Sequence, residues 1–318
     1  MNENDLKIFA DKLRHAKSIL IMGHKNPDGD ALCSVAALAR LIEINYGRRP
    51  VCVYDGNVPD NLDSIPLRGY VKYYERADLT QPFDLAIVLD YGTANHLGGA
   101  APAIAAAKYV VEIDHHKNDE KVASLCLDDD TAAATGAIIY NIMRALGWEW
   151  DGNVITLLAM AILTDTGHFK FARDSRPLCI MAELVDAGAS IRAISDMLAN
   201  KQKKTVLTEA AVASRAEFFY HGRMALATVE KKDYKYLDGR GEIILNLLAQ
   251  IRGVDYVVLL KQQKEDQIGF SMRGRGRPVN HFAAALGGGG HEFASGGVVR
   301  GQDLETVRTK IIELFRGI

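Results

Sequence analysis

The chain has 318 residues, 48% hydrophobic and 25% charged, close to the average of soluble globular proteins and long enough for two domains that each bury a core. That balance argues against disordered, collagenous and coiled-coil chains, and a formal net charge of −2 leaves no global positive field to hold long duplex nucleic acid. The cysteines, Cys33, Cys52, Cys126 and Cys179, are spread without a C-x-x-C pair, which points to free thiols in a reducing cytoplasm, and no apolar run of roughly 18 residues predicts a membrane span.

Residues 17–24 (KSILIMGH), 49–55, 84–90 and 107–116 are apolar nearly throughout and end in polar clusters, the pattern of parallel strands buried on both faces. Between the first two, 31–47 is long enough for a helix and closes on Asn45 and Gly47, which favour helix stops; 97–107 is expected to be another. From Thr131 to about Asn200, apolar residues recur at helical intervals. The polar stretch 200–204 is read as a linker, although one helix could run through it. Beyond it, MALATVEK, YVVLLKQQ and QIGFSMRGR predict strands, and EIILNLLAQIRG, VNHFAAALG and LETVRTKIIELFRG predict helices. The expected fold is therefore α/β: a mostly parallel sheet flanked by helices over 1–199, and a smaller α/β or α+β domain over 205–318. No solenoid repeat is present, and the only low-complexity tract is Gly287 to Gly290.

Polar residues at the strand ends carry the chemistry. GHKNPDGD places His24, Asp28 and Asp30 directly after the first strand, with Pro27 and Gly29 to bend the backbone. A plain alternative is that Asp30 merely caps the helix that follows. Asp90 ends a run of apolar residues, where a carboxylate is costly unless compensated. Asp114, His115 and His116 close another strand, and in an open α/β sheet the carboxyl ends of the strands form one rim where ligands bind. Asp165 stands in the apolar AMAILTDTGHF, either as a helix-end cap or as a further contributor, and His168 is read as its supporting neighbour. Aspartate and histidine without thiolate suit Mn²⁺, Mg²⁺ or Co²⁺ better than a structural zinc site, and so many donors suit a dinuclear centre with a bridging carboxylate.

In QIGFSMRGRGR, strand alternation would place Ile268, Phe270 and Met272 on one face and Ser271, Arg273, Arg275 and Arg277 on the other. The cationic face suits bidentate phosphate binding, against the plainer reading of a solvated edge strand protected by charge.

The pattern H-x-N-P-D-G-D, a strand ending in Asp, D-H-H and an Asp after an apolar helix, followed by GGGGHEFASGG, resembles the DHH phosphoesterase superfamily. Length and order are similar to its nanoRNase type, the bifunctional oligoribonucleases that also act on 3′-phosphoadenosine 5′-phosphate. The resemblance spans 24 to 297 and implies a DHH-type catalytic domain followed by a substrate-binding domain. It implies that His24, Asp28 and Asp90 hold one divalent cation and Asp30, Asp90, His115 and Asp165 the other, with Asp90 as the bridge and Mn²⁺ as the expected metal. Asp114 would orient an imidazole, and His116 would contact the scissile phosphate or protonate the leaving group. Gly288, Gly289, Gly290 and His291 would join Ser271, Arg273, Arg275 and Arg277 in holding substrate. Two departures stand out: His96 lies where many members carry Arg, and Cys33 where a smaller residue is common, which we read as packing.

The expected activity is hydrolysis of very short RNA oligonucleotides or of nucleotide bisphosphates by a hydroxide activated between two cations. The expected partners are those small substrates, with no membrane and no long duplex; a homodimer is expected on base rate alone. A phosphodiesterase for cyclic dinucleotides, or for linear pGpG and pApA, would use the same metals. A pyrophosphatase is disfavoured by a motif suited to a base-sized ligand, and a non-catalytic nucleotide sensor by the intact donor set.

Overall fold

The computed structural model describes residues 2–117, 121–237 and 241–318. The chain divides into two compact units, Met1–Asn200 and Lys201–Ile318. In chain order the first contains α1 (Glu3–His15), β1 (Ile19–Met22), α2 (Gly29–Tyr46), β2 (Val51–Tyr54), β3 (Val71–Tyr73), β4 (Leu85–Leu89), α3 (Ala101–Ala105), β5 (Val110–Ile113), β6 (Leu125–Cys126), α4 (Thr135–Leu146), α5 (Gly152–Asp165), α6 (Arg176–Asp186) and α7 (Ile191–Ala199).

The strands form one six-stranded sheet in the order β3-β2-β1-β4-β5-β6, paired in parallel throughout. The apolar runs follow from its two covers. Ile19, Ile21, Leu85, Ile87, Val111 and Ile113 pack into the core built with α2, α4 and α5, while Leu20, Met22, Ala86, Val88 and Val110 pack into a second core on the opposite face. The strand order reverses direction from β1, whose neighbours are β2 and β4, so the carboxyl ends of β1 and β4 flank a crevice of the kind where such sheets bind ligands. Gly29 lets α2 start in contact with α5: a Cβ there would run into the Thr164 side chain. The segment expected as a helix over 97–107 is a 3₁₀ stretch, Ala94–Ala100, followed by the short α3, because Gly98 at φ 58 breaks the turn.

The second unit holds α8 (Lys203–Ser214), β7 (Glu217–Phe219), β8 (Met224–Val229), α9 (Lys231–Tyr234), α10 (Glu242–Ala249), β9 (Tyr256–Lys264), β10 (Gln267–Gly274), α11 (Asn280–Ala285), β11 (Gly289–His291), β12 (Ala294–Arg300) and α12 (Leu304–Leu314). Its sheet runs β11-β12-β10-β9-β8-β7, antiparallel except for the parallel β8 and β9 pair. Of the polar stretch read as a linker, Lys203 and Lys204 form the first turn of α8. Both faces of this sheet are covered, one by Val279, Ala283, Val307, Ile311 and Phe315, the other by Val212, Ile244, Leu245 and Leu248.

Candidate functional site

Three strand ends and two helix ends of the first unit place seven of the expected residues together. His24, Asp28 and Asp90 form one group whose ligand atoms lie within 4.8 Å of one another; Asp30, His115 and Asp165 form a second; Asp90, His115 and His116 form a third. Asp90 thus stands in two groups with different partners, as a bridging carboxylate would.

The local backbone explains how each side chain is aimed. Asp28, not Asp30, caps α2: its Oδ1 accepts from the Ala31 amide at 3.1 Å, while its Oδ2 lies 3.6 Å from His24 Nε2. Asp30 falls in the first helical turn and points inward, 1% exposed. It accepts from the Ser34 hydroxyl at 2.9 Å and from the first amides of α4, Thr135 at 2.7 Å and Gly136 at 3.0 Å, so the positive end of that helix supports its charge. Asp90 is 2% exposed and takes a left-handed φ of 51, a strained conformation for a side chain of any size. Its Oδ1 accepts from the Thr135 hydroxyl at 3.2 Å. Asp165 ends α5 and is half-buried.

The imidazoles are fixed by what their second nitrogens do. His24 Nδ1 lies 2.9 Å from the Lys25 carbonyl, which can only accept, so Nδ1 carries a proton and Nε2 faces Asp28 and Asp90. His116 Nδ1 donates to Asp114 Oδ1 at 2.8 Å, leaving Nε2 as its free edge. Asp114 is fully buried and also accepts from the amides of Tyr91, Gly92 and His116. The two neighbouring rings are set at 60° to one another, their centroids 4.3 Å apart. His115 Nε2 is buried without a hydrogen-bond partner, 3.3 Å from Asp90 Oδ1, 3.7 Å from Asp165 Oδ2 and 4.0 Å from Asp30 Oδ2.

The electrostatics report an excess of negative charge. Burial first, then the neighbouring Asp90 and Asp165, push the Asp30 carboxyl well above its ordinary range. Burial likewise lifts Asp165 to about 6, against the pull of His115. Burial works to lower His24 and His115, but the carboxylates around them outweigh it and hold the imidazoles at about 9 and about 10. Asp114 raises His116 in the same sense. A cluster that takes up protons in this way calls for compensating cations. The orphaned His115 nitrogen and the oxygen-rich donors fit a divalent metal pair, whose binding would release those protons.

The remaining expected residues belong to none of these groups. His168 is exposed and belongs to none of the ligand groups: Gly167, His168 and Phe169 all adopt left-handed φ (55, 57 and 66), turning the chain beyond α5. In the second unit the expected alternation stops at Gly274, where β10 ends; a Cβ at Gly274 would overlap the Arg277 carbonyl, so the chain folds back and Arg275 and Arg277 lie outside the strand, both exposed. Ser271 is buried and accepts from the Lys261 ammonium at 2.9 Å, and Arg273 pairs with Glu242 of α10 at 2.6 Å. Gly289, Gly290 and His291 form the exposed edge strand β11, and Gly288 packs so closely on Phe270 and the Gly296 carbonyl that no Cβ fits. Gly288 therefore has a packing reason of its own. Ser34, Thr135 and Gly136 support Asp30 with no sequence signal beyond a Thr-Gly pair opening a helical pattern.

Residues 18–162 match the model of the DHH family, N-terminal domain, and residues 221–317 match that of the DHHA1 domain. The bifunctional oligoribonuclease and PAP phosphatase NrnA of Thermus thermophilus is 27% identical over 314 residues, 98% of this chain and 93% of its own. The NrnA of Bacillus subtilis, described in the same words, is 22% identical over 294 residues, 90% of each chain. An exopolyphosphatase-related protein from Bacteroides fragilis has the same fold, with a TM-score of 0.88 at 22% identity over 98% of this chain and 96% of that one.

Proposed function

We propose that this chain, which belongs to the DHH family and is a hydrolase of phosphoester bonds, cleaves very short RNA oligonucleotides and removes phosphate from 3′-phosphoadenosine 5′-phosphate. The observation that carries the reading is the buried, unpartnered His115 Nε2 facing the carboxylates of Asp30, Asp90 and Asp165. Relatives named for both activities, similar along nearly the whole chain, support the substrate class.

His24, Asp28 and Asp90 would hold one divalent cation and Asp30, Asp90, His115 and Asp165 the other, with Mn²⁺ first among the metals these donors suit and Mg²⁺ or Co²⁺ next. A bound pair supplies a water of lowered pKa and stabilises the negative charge that builds on the phosphoryl oxygens. The protein's share is to hold the parts still. Thr135 and the amino end of α4 fix Asp90 and Asp30 before substrate arrives, so no reorganisation is spent during the reaction. With its Nδ1 proton committed to Asp114, His116 offers Nε2 to the scissile phosphate or, when protonated, delivers a proton to the leaving oxygen.

In the second unit Arg275 and Arg277 would take phosphate, with Ser271, Arg273, Gly288, Gly289, Gly290 and His291 supplying further contacts to phosphate and base. The free thiols Cys33, Cys52, Cys126 and Cys179 support a reducing cytoplasm as the place of action.

Product analysis of the Mn²⁺-loaded protein tests this reading, with a 5′-labelled RNA pentamer run beside 3′-phosphoadenosine 5′-phosphate and linear pGpG. Stepwise release of mononucleotides together with turnover of the bisphosphate is the expected result. Cleavage of pGpG alone would move the enzyme to dinucleotide signalling, and no cleavage of any of the three would overturn the reading.

A further inference from the structure

We propose that Lys121 is a positioning residue for His116, acting through a closed ring of hydrogen bonds with Glu112, Tyr91, Asp128 and Asp114. The inference rests on the reading of His116 as the group that delivers a proton to the leaving oxygen. Glu112 sits on β5 with no exposed surface, and both its oxygens are taken: the Tyr91 hydroxyl donates to one at 2.6 Å and the Lys121 ammonium to the other at 2.7 Å. The same ammonium donates to Asp128 Oδ2 at 2.7 Å, and Asp128 Oδ1 accepts from the Asp114 amide at 3.0 Å. The Asp114 carboxylate in turn accepts from the amides of Tyr91 and Gly92, at 3.1 and 2.8 Å, and from His116 at both its amide and Nδ1. The circuit therefore begins and ends on the residue after Asp90.

Glu112, Cys126 and Asp128 come close enough together to hold a metal ion, but the Lys121 ammonium already lies between the two carboxylates and serves as their cation. Glu112 is buried, but the Lys121 side chain keeps 37% of its surface exposed, so its ion pairs add little to the stability of the fold. What it supplies is direction. Asp114 is held at its backbone by Asp128 and at its side chain by the β4 turn, so the imidazole bonded to it has one orientation open to it. Removing the ammonium would leave Glu112 and Asp128 repelling one another and free the Asp114 amide to shift.

The test compares two phosphodiesters of the full-length Mn²⁺-loaded enzyme: an RNA dinucleotide, whose ribose leaving group needs a proton, and a 4-nitrophenyl nucleotide ester, whose leaving group does not. For Lys121→Met, kcat on the dinucleotide should fall about 10- to 100-fold with KM within about twofold, while turnover of the nitrophenyl ester falls less than about threefold. Lys121→Arg should restore most of the loss. His116→Ala should show the same discrimination with a larger fall. Equal losses on both substrates for Lys121→Met, or no loss on either, would overturn the inference while leaving His116 its role. Equal losses for His116→Ala would instead leave His116 as a contact to the phosphate only, and would sink its reading as the acid and this inference with it. If circular dichroism shows Lys121→Met unfolded, Asp128→Asn is read by the same ratio.

Discussion

The carboxyl edge of the parallel sheet and the region of β10, its following loop and β11 in the second sheet both carry polar side chains, but the two are held in opposite ways. Asp30, Asp90 and Asp114 are buried, each with named donors, and one of them sits on strained backbone. Arg275, Arg277, Gly289 and His291 are exposed, and Arg273 and Ser271 are already engaged by Glu242 and Lys261. The first arrangement spends its ordering entropy during folding, as a site for chemistry should; the second would leave part of it to be lost if substrate binds there. Substitutions at the first edge should therefore act on kcat, and those at the second on KM.

The strongest challenge to this contrast is Asp90→Asn, which keeps the backbone tolerance and removes the charge proposed to bridge the cations. We expect kcat to fall by at least ~10³-fold, and the rise in melting temperature on adding Mn²⁺ to disappear. A variant that keeps both would place the centre elsewhere. Arg275→Met combined with Arg277→Met should raise KM for an RNA trimer about tenfold, leave kcat within twofold, and flatten the salt dependence of kcat/KM by roughly 0.7 per lost phosphate contact. An equal fall in kcat would erase the distinction between the two regions.

The smallest effect belongs to the opposite edge of the parallel sheet, where nothing suggests chemistry. Asp84 accepts from the Lys17 and Ser18 amides and pairs with Lys108 at 2.7 Å, which ties together the starts of β1, β4 and β5. Lys108 first, then the amides, lower its pKa from 3.8 to about 2. The stabilisation this brings is present above the unfolded value and lost as pH falls through the folded one. Asp84→Asn should thus cost a few degrees of melting temperature at pH 7, with wild type and variant converging between about pH 4 and pH 2 and activity unchanged at neutral pH.

What was legible in the sequence follows from length and burial. The strands β1, β2, β4 and β5 are covered on both faces and read as apolar runs, whereas β3, β6 and β11, two or three residues each at or near a sheet edge, are too short to show a pattern. A parallel sheet gathers its carboxyl ends, so His24, Asp28, Asp90 and His115 could be brought together from the places where those runs stop. The supports could not. Thr135 reads as an ordinary residue before a helix, and Glu112 as an interruption in a strand, because what matters in each is a partner far away in the chain. Alternation does not extend to Arg275 and Arg277, because close backbone contact at Gly274 ends the strand, a limit that residue spacing does not show.

The left-handed backbone at Asp90 has a consequence for how this chain can change. Asparagine and glycine tolerate that conformation but surrender the charge; glutamate keeps the charge but sits there less readily and places it one methylene too far. Aspartate is thus chosen twice over, by the metal it would hold and by the turn it occupies. A lineage that lost it would find almost no single substitution leading to a different working centre, only the one that leads back.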